Sequence, residues 1–231
     1  MTSSPVTLIT GGTSGIGAEI VSQLLDAGHT VVATGRDAGR CDALRATYSS
    51  VGDRLLVVQG DASEWEDVQA LVATTKSTFG RIDTVIPNAG FSSRDNVEVG
   101  DPEVWKSMVL TNVLGPAMLV KATLDDVKAT KGHYVFIGSV AGVKNFPGNV
   151  YSATKWAITG FAENTRMMVT EFGVRVTLIA PGMIDTPFWG GKSPEYAIPP
   201  KSVADAVTFA LSQPEKVDIN TIVIRPVTQP V

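Results

Sequence analysis

The stretch VTLITGGTSGIGAEIVSQLLDAG, residues 6–28, decides the fold. Its first five residues are a short run built on Val6, Leu8 and Ile9, as expected of a strand covered on both faces. Glycines follow at 11, 15 and 17. Then Ile16, Ile20, Val21, Leu24 and Leu25 recur at helical spacing, and Gly28 marks the expected helix end. Strand, glycine turn and helix in this order form the opening of a parallel strand–helix–strand unit.

The rest of the chain repeats the unit. TVVAT (30–34), LLVVQ (55–59), TVIP (84–87), YVFIG (134–138), RVTLIA (175–180) and TIVIR (221–225) are apolar runs without alternation, which suits strands buried on both sides. Helical segments are expected between them. Ser63 with Glu66 reads as a capping box. Asp101 before Pro102 reads as an N-cap and first helical position. Ser202 with Asp205 reads as the start of the last helix. Right-handed crossovers then give one α/β domain over residues 1–231: a doubly wound parallel sheet of about seven strands with helices on both faces. Such a sheet binds its ligand beyond the carboxyl ends of its strands.

Composition narrows the function. Of 231 residues, 44% are hydrophobic and 18% charged, a globular and not a disordered balance. A net charge of -4 argues against a nucleic-acid partner. Cys41 is the single cysteine, which excludes an internal disulfide and points to the cytoplasm. The opening MTSSPVTLIT lacks a basic region ahead of an apolar run, so no signal peptide is expected. Membrane insertion is not expected either, because VLTNVLGPAMLV is interrupted by Thr111, Asn112, Gly115 and Pro116. His29 and His133 are the only histidines, too few for a zinc site or a Ser-His-Asp hydrolase, and no metal is expected.

The loops at the strand ends carry the chemistry. TGGTSGIG (10–17) offers Gly11, Thr13, Ser14, Gly15, Ile16 and Gly17 at a helix N-terminus, where backbone N–H groups meet phosphate. After the second strand, Gly35 stands where a ribose-binding carboxylate is expected, and Arg36 follows. A guanidinium matches a 2'-phosphate, which favours NADP over NAD; Asp37 serving a ribose is the NAD alternative. Asp61, followed by Ala62, either accepts from adenine or is a turn residue. In PNAG, Asn88 can tie the loop to backbone, while Ala89 and Gly90 let a cofactor pass closely.

NVYSATKWA (149–157) places Tyr151 and Lys155 one helical turn apart. A phenol titrates near 10, and an adjacent ammonium lowers that value. Ser139, at the end of the YVFIGS strand, falls at the same sheet edge and can hold a carbonyl against the tyrosine.

TGGTSGIG, NAG, TNVLG, IGSVAG, YSATK and APGMIDTP occur in this order with suitable gaps. Together they resemble the short-chain dehydrogenase/reductases over almost the whole chain. That resemblance implies a Rossmann-type fold and hydride transfer with a nicotinamide cofactor. It implies Tyr151 as general acid/base, with Lys155 lowering its pKa and holding the ribose. Ser139 would polarise the carbonyl, and Asn112 would support a water leading to Lys155. Pro181 and Gly182 would form the turn beside the nicotinamide, with Ile184 and Thr186 near its carboxamide. It also implies a homodimer or homotetramer through the helices near Asn112 and Tyr151. The C-terminal NTIVIRPVTQP resembles NADP-dependent members acting on small hydroxy acids, aldehydes or related carbonyl compounds.

For the substrate, residues 183–200 read as a short flexible lid. Phe188 and Trp189 either cover an apolar ligand or pack ordinarily. VAGVKNFPG (140–148) is expected to offer Val140, Val143, Lys144, Asn145 and Phe146 as pocket wall; Lys144 either points to an acidic substrate or, the preferred reading, is a surface lysine. The expected substrate is a small carbonyl compound or alcohol. A cofactor-sensing regulator would not need Asn112, Ser139, Tyr151 and Lys155 together. A sugar-nucleotide epimerase or dehydratase would need a larger C-terminal region.

Overall fold

β1 (Val6–Thr10) sits near the middle of one sheet, in parallel register with β2 (Thr30–Gly35) on one side and β4 (Thr84–Ile86) on the other. The computed structural model describes residues 4–229, so Met1 to Ser3 of the opening stretch and Pro230 of the C-terminal one lie outside the described residues. β3 (Leu55–Gln59), β5 (His133–Ile137), β6 (Arg175–Pro181) and β7 (Thr221–Ile224) complete the order β3-β2-β1-β4-β5-β6-β7. Every pairing is parallel. The direction of winding reverses between β1 and β4, so the loops leaving those two strands diverge and open a cleft.

The side chains of β1 alternate between two cores. Leu8 joins Val32, Val85, Phe136 and Leu178 on one face, against α3 (Trp65–Phe79), α5 (Gly115–Thr130) and α6 (Val150–Val169). Ile9 joins Val31, Ile86, Val135 and Ile179 on the other, against α1 (Gly15–Asp26), α2 (Ala38–Thr47) and α7 (Lys201–Leu211). Helices on both faces explain why the strands carry unbroken apolar runs.

Asp101 caps α4 (Pro102–Val109) by accepting from the Glu103 N–H, as expected. Two other expected starts are different. Ser63 does not cap α3: its N–H and hydroxyl both donate to Asp61 Oδ1, at 2.9 and 2.7 Å. The carboxylate outcompetes the helix end for that hydroxyl, and α3 begins at Trp65. Ser202 lies inside α7, which starts at Lys201 after Pro199 and Pro200. There prolines pre-set the backbone, and Asp205 accepts from Lys201 Nζ and Gln23 Nε2 instead of capping.

The residues expected to interrupt VLTNVLGPAMLV do not break the helix. A π-helical turn at Leu110–Leu114 joins α4 to α5, and its wider winding accommodates Pro116, which has no N–H to give. The continuous helix Pro102–Thr130 is long and apolar enough to span a bilayer by length and composition alone. Its Met108, Leu119, Val120 and Val127 are buried in the protein.

Candidate active site

A cavity of about 1020 Å³ opens at the carboxyl edge of the sheet, lined by the loops after β1 to β6. It holds Gly11, Thr13, Ser14, Gly15, Ile16 and Gly17 from the first loop. Gly11 takes φ 65. A Cβ on Gly17 would lie 2.1 Å from the Gly11 carbonyl oxygen, so only glycine lets the loop fold back onto α1. Asn88 Nδ2 donates to the carbonyls of Thr10 (2.9 Å) and Gly11 (3.0 Å). The Asn88 and Ala89 N–H groups both donate to Thr10 Oγ1. The two diverging loops are thus tied together, with Gly90 beside them in the lining. No side chain caps the N-terminus of α1, and its first turn has no acid. That end is suited to a phosphate.

At the far end stand Arg36, Asp37, Arg40, Asp61 and Ala62. A Cβ on Gly35 would lie 2.3 Å from Thr13 Oγ1, so a side chain at that position would have to displace Thr13. Asp37 caps α2, accepting from the Arg40 N–H at 2.8 Å. Arg36 meets Asp61 at 3.4 Å with 62% of its side chain exposed, a weak, screened pair that leaves the guanidinium open to a ligand. Asp61 organises the turn through Ser63 and also lines the cavity, so the turn role and the role toward adenine share one residue.

Ser139 closes β5 and caps the short 3-10 turn Val140–Gly142, its Oγ accepting from the Ala141 N–H at 3.1 Å. A Cβ on Gly142 would meet the Lys155 carbonyl oxygen at 2.5 Å, so this turn lies tightly on α6. The packing brings Ser139 to Tyr151. Burial pushes the Tyr151 phenol up to about 12, with a Ser139 hydrogen bond pulling it partly back. The buried Lys155 donates to the Ile137 carbonyl at 3.1 Å, 5.8 Å from the Tyr151 ring centroid. Burial pushes it down to about 8. Against the expected lowering by Lys155, loss of solvation is the larger influence on the phenol in this structure, and it disfavours the phenolate.

Asn112 is buried outside the cavity lining. Its Oδ1 accepts from the Phe91 N–H, and its Nδ2 donates to the Phe91 carbonyl and Thr154 Oγ1. A Cβ on Gly90 would lie 3.0 Å from Asn112 Oδ1 and 3.6 Å from Lys155 Nζ, so Asn112 and Lys155 converge beneath that loop.

Pro181, Gly182, Ile184 and Thr186 form the wall after β6. The segment expected as a lid is stapled at its base: Ile184 bridges to Ile198, and the Asp185 N–H donates to the Ile198 carbonyl. Phe188 lies 5.9 Å from the Tyr151 ring and packs edge-on to Trp189 at 5.8 Å. Both aromatics line the cavity, as do Val140 and Phe146. Asn145, Val143 and Lys144 do not. Asn145 is exposed, which corrects its assignment to the substrate pocket; the chain swings outward between the 3-10 turn and Asn149, the cap of α6.

Gln229, Arg40 and Arg94 line the cavity without having been singled out from sequence. Gln229 Oε1 accepts from the Met183 N–H at 2.9 Å, across 46 positions. No local pattern announces such a contact. Arg40 lies in the first turn of α2, close in sequence to Arg36 just after β2.

Known proteins share both sequence and architecture. The short chain dehydrogenase family model matches residues 5–197. An uncharacterised oxidoreductase of Staphylococcus saprophyticus is 34% identical, over 96% of this chain and 97% of its own. Among solved structures, the closed form of a serine dehydrogenase complexed with NADP+ superposes with a TM-score of 0.91 at 31% identity, covering 98% of this chain and 96% of that one. An alcohol dehydrogenase from the archaeon Thermococcus sibiricus complexed with 5-hydroxy-NADP gives 0.91 at 28%, covering 97% of each. With a family model spanning most of its length and a sheet, cleft and loops of the same design, the chain belongs to the short-chain dehydrogenase/reductase family of oxidoreductases.

Proposed function

We propose that this protein interconverts a carbonyl compound and an alcohol with NADP(H), using Tyr151 as general acid/base. The observation that carries the reading is the convergence of Ser139, Tyr151 and Lys155 in the same cavity as the glycine loop. When bound, NADPH supplies the hydride for reduction, and NADP+ accepts it in the reverse direction. The residues present fit that group: glycines where a Cβ would clash, an uncapped helix end, and Arg36 and Arg40 at the far end for a 2'-phosphate. NAD is disfavoured because Gly35 brings no carboxylate to a ribose and Asp37 is engaged as a helix cap. NADP-complexed relatives support the same choice.

The hydroxyls of Ser139 and Tyr151 hold the carbonyl oxygen and oppose the charge that develops on it. With its pKa at about 12, the phenol stays protonated at neutral pH and is ready to donate as the alcohol forms. In the reverse direction Lys155, still an ammonium below about 8, favours the phenolate as it appears. Exposed Val109, Leu114, Trp156 and Met167 on α4, the π turn and α6 support assembly as a homodimer or homotetramer. A cytoplasmic setting is part of the proposal, consistent with a single buried Cys41.

The test is NADPH oxidation over aldehydes, diketones and keto acids, repeated with NADH and with Tyr151→Phe. We expect NADPH to be preferred, and the variant to bind NADPH while losing at least about a hundredfold in kcat, the range of a lost proton donor. Near-full activity in Tyr151→Phe would refute the role of the phenol. Faster turnover with NADH refutes the NADP assignment, and cofactor binding without any turnover favours a sensor.

A further inference from the structure

The charged residues lining the cavity are Arg36, Asp37, Arg40, Asp61, Arg94 and Lys155. Four of them surround the far end, and Lys155 is bonded to the Ile137 carbonyl beneath Tyr151. Arg94 is the remaining charge, and it stands at the lid. A Cβ on Gly190, the residue after Trp189, would lie 3.6 Å from Arg94 Nη2. From there the wall runs through Trp189 and Phe188 to the Tyr151 ring.

The backbone of Arg94 is held in place by its surroundings, while the residue itself is exposed. Its backbone takes φ 56, an uncommon conformation for a non-glycine residue. Its N–H donates to Ser92 Oγ at 3.1 Å. The neighbouring Asp95 is occupied elsewhere: Oδ1 accepts from Ser93 Oγ (2.6 Å) and Trp105 Nε1 (3.0 Å). The Asp95 carbonyl accepts from Asn149 Nδ2 at 3.0 Å, which ties this loop to the residue capping the helix of Tyr151. Among the described residues no carboxylate pairs with Arg94. The loop therefore presents an unneutralised guanidinium to the cavity on a braced backbone.

We propose that Arg94 binds a carboxylate on the substrate, so that the preferred substrate is an oxo acid or hydroxy acid. The acid group is separated from the reacting carbon by a spacer that runs along the wall formed by Phe188 and Trp189. A guanidinium accommodates the two oxygens of a carboxylate side by side. A phosphate dianion is less well matched, since no second free cation lines that end. This inference rests on reading Tyr151 and Ser139 as the carbonyl site.

The test compares levulinate with its primary amide, which share a carbon skeleton and differ in charge. Wild type should favour the acid in kcat/KM by roughly ten- to hundredfold, the range of a hydrogen bond to a charged group. In Arg94→Asn the preference should collapse to near one, through KM. Asn tolerates the left-handed backbone, so the loop keeps its shape. Lys144→Gln, at an exposed lysine outside the cavity, should keep the preference. Levulinate binding to the protein with NADP+, followed by tryptophan fluorescence, gives a readout without turnover. Charge-selective binding lost in Arg94→Asn, with no turnover of either compound, supports Arg94 and refutes the catalytic reading. Turnover of both compounds at equal efficiency, or a preference retained in Arg94→Asn, refutes the role of Arg94 and spares the catalytic reading. Neither binding nor turnover refutes both.

Discussion

Gly17 and Phe188 line the same cavity, and they do so in different ways. The wall at Gly17 is made by backbone. Gly11, Gly15 and Gly17 work by having no side chain, and Asn88, from the loop after β4, pins the carbonyls of Thr10 and Gly11. The wall at Phe188 is made by side chains from four separate loops: Phe91 and Arg94, Phe146, Phe188 and Trp189, and Gln229. A backbone wall tolerates almost no substitution and recognises what all relatives share. A side-chain wall can change residue by residue and sets which substrate enters.

This contrast predicts a gradient of mutational effects. The largest is expected at Gly17→Ala, whose new Cβ would sit 2.1 Å from a carbonyl oxygen. Overpacking against backbone costs about 1–3 kcal/mol or more, so Tm should fall by several degrees and NADPH binding should be severely weakened in a fluorescence titration. A variant that binds normally would show that this wall is as adaptable as the other.

Lys155→Met, at the join between the walls, should separate activity from stability. Activity should drop at least about a hundredfold. Burial lowers Lys155 from 10.5 to about 8, so the unfolded chain holds that proton more tightly than the fold does. Its contribution to stability is therefore unfavourable below about 8 and improves as pH rises from there toward the ordinary lysine value. Urea unfolding at pH 7 and pH 9.5 should show wild type gaining on the variant by on the order of 1–2 kcal/mol. Parallel profiles at the two values would show that burial does not cost the ammonium what its surroundings imply. Phe188→Ala should have the smallest effect, raising KM for carbonyl substrates roughly two- to tenfold, the worth of a partly exposed aromatic contact. A larger loss in NADPH affinity than in KM would erase the distinction between the walls.

The same division governs what could be read in advance. All seven strands were legible within a residue or so; burial on both faces prints a continuous apolar run in β1, β2, β4, β5 and β6, while the edge strands β3 and β7 carry the run though only partly buried. The glycine loop was legible because a missing Cβ is itself a sequence feature. Misreadings arose where side chains had a choice of partner. Ser63 had the residues of a cap, yet Asp61 took its hydroxyl. Asn145 sat beside pocket residues in sequence, yet the chain turned it outward.

Local covalent chemistry determined the strand and helix pattern, the glycine loop and the Tyr151–Lys155 pairing, because each depends on residues within a turn or two of one another. The tertiary structure alone decided how strongly burial holds the Tyr151 proton, that Asn112 grips Phe91, and that Arg94 and Gln229 reach the cavity. Those outcomes depend on desolvation and on contacts between distant segments, and neither exists until the sheet has brought the loops to one edge.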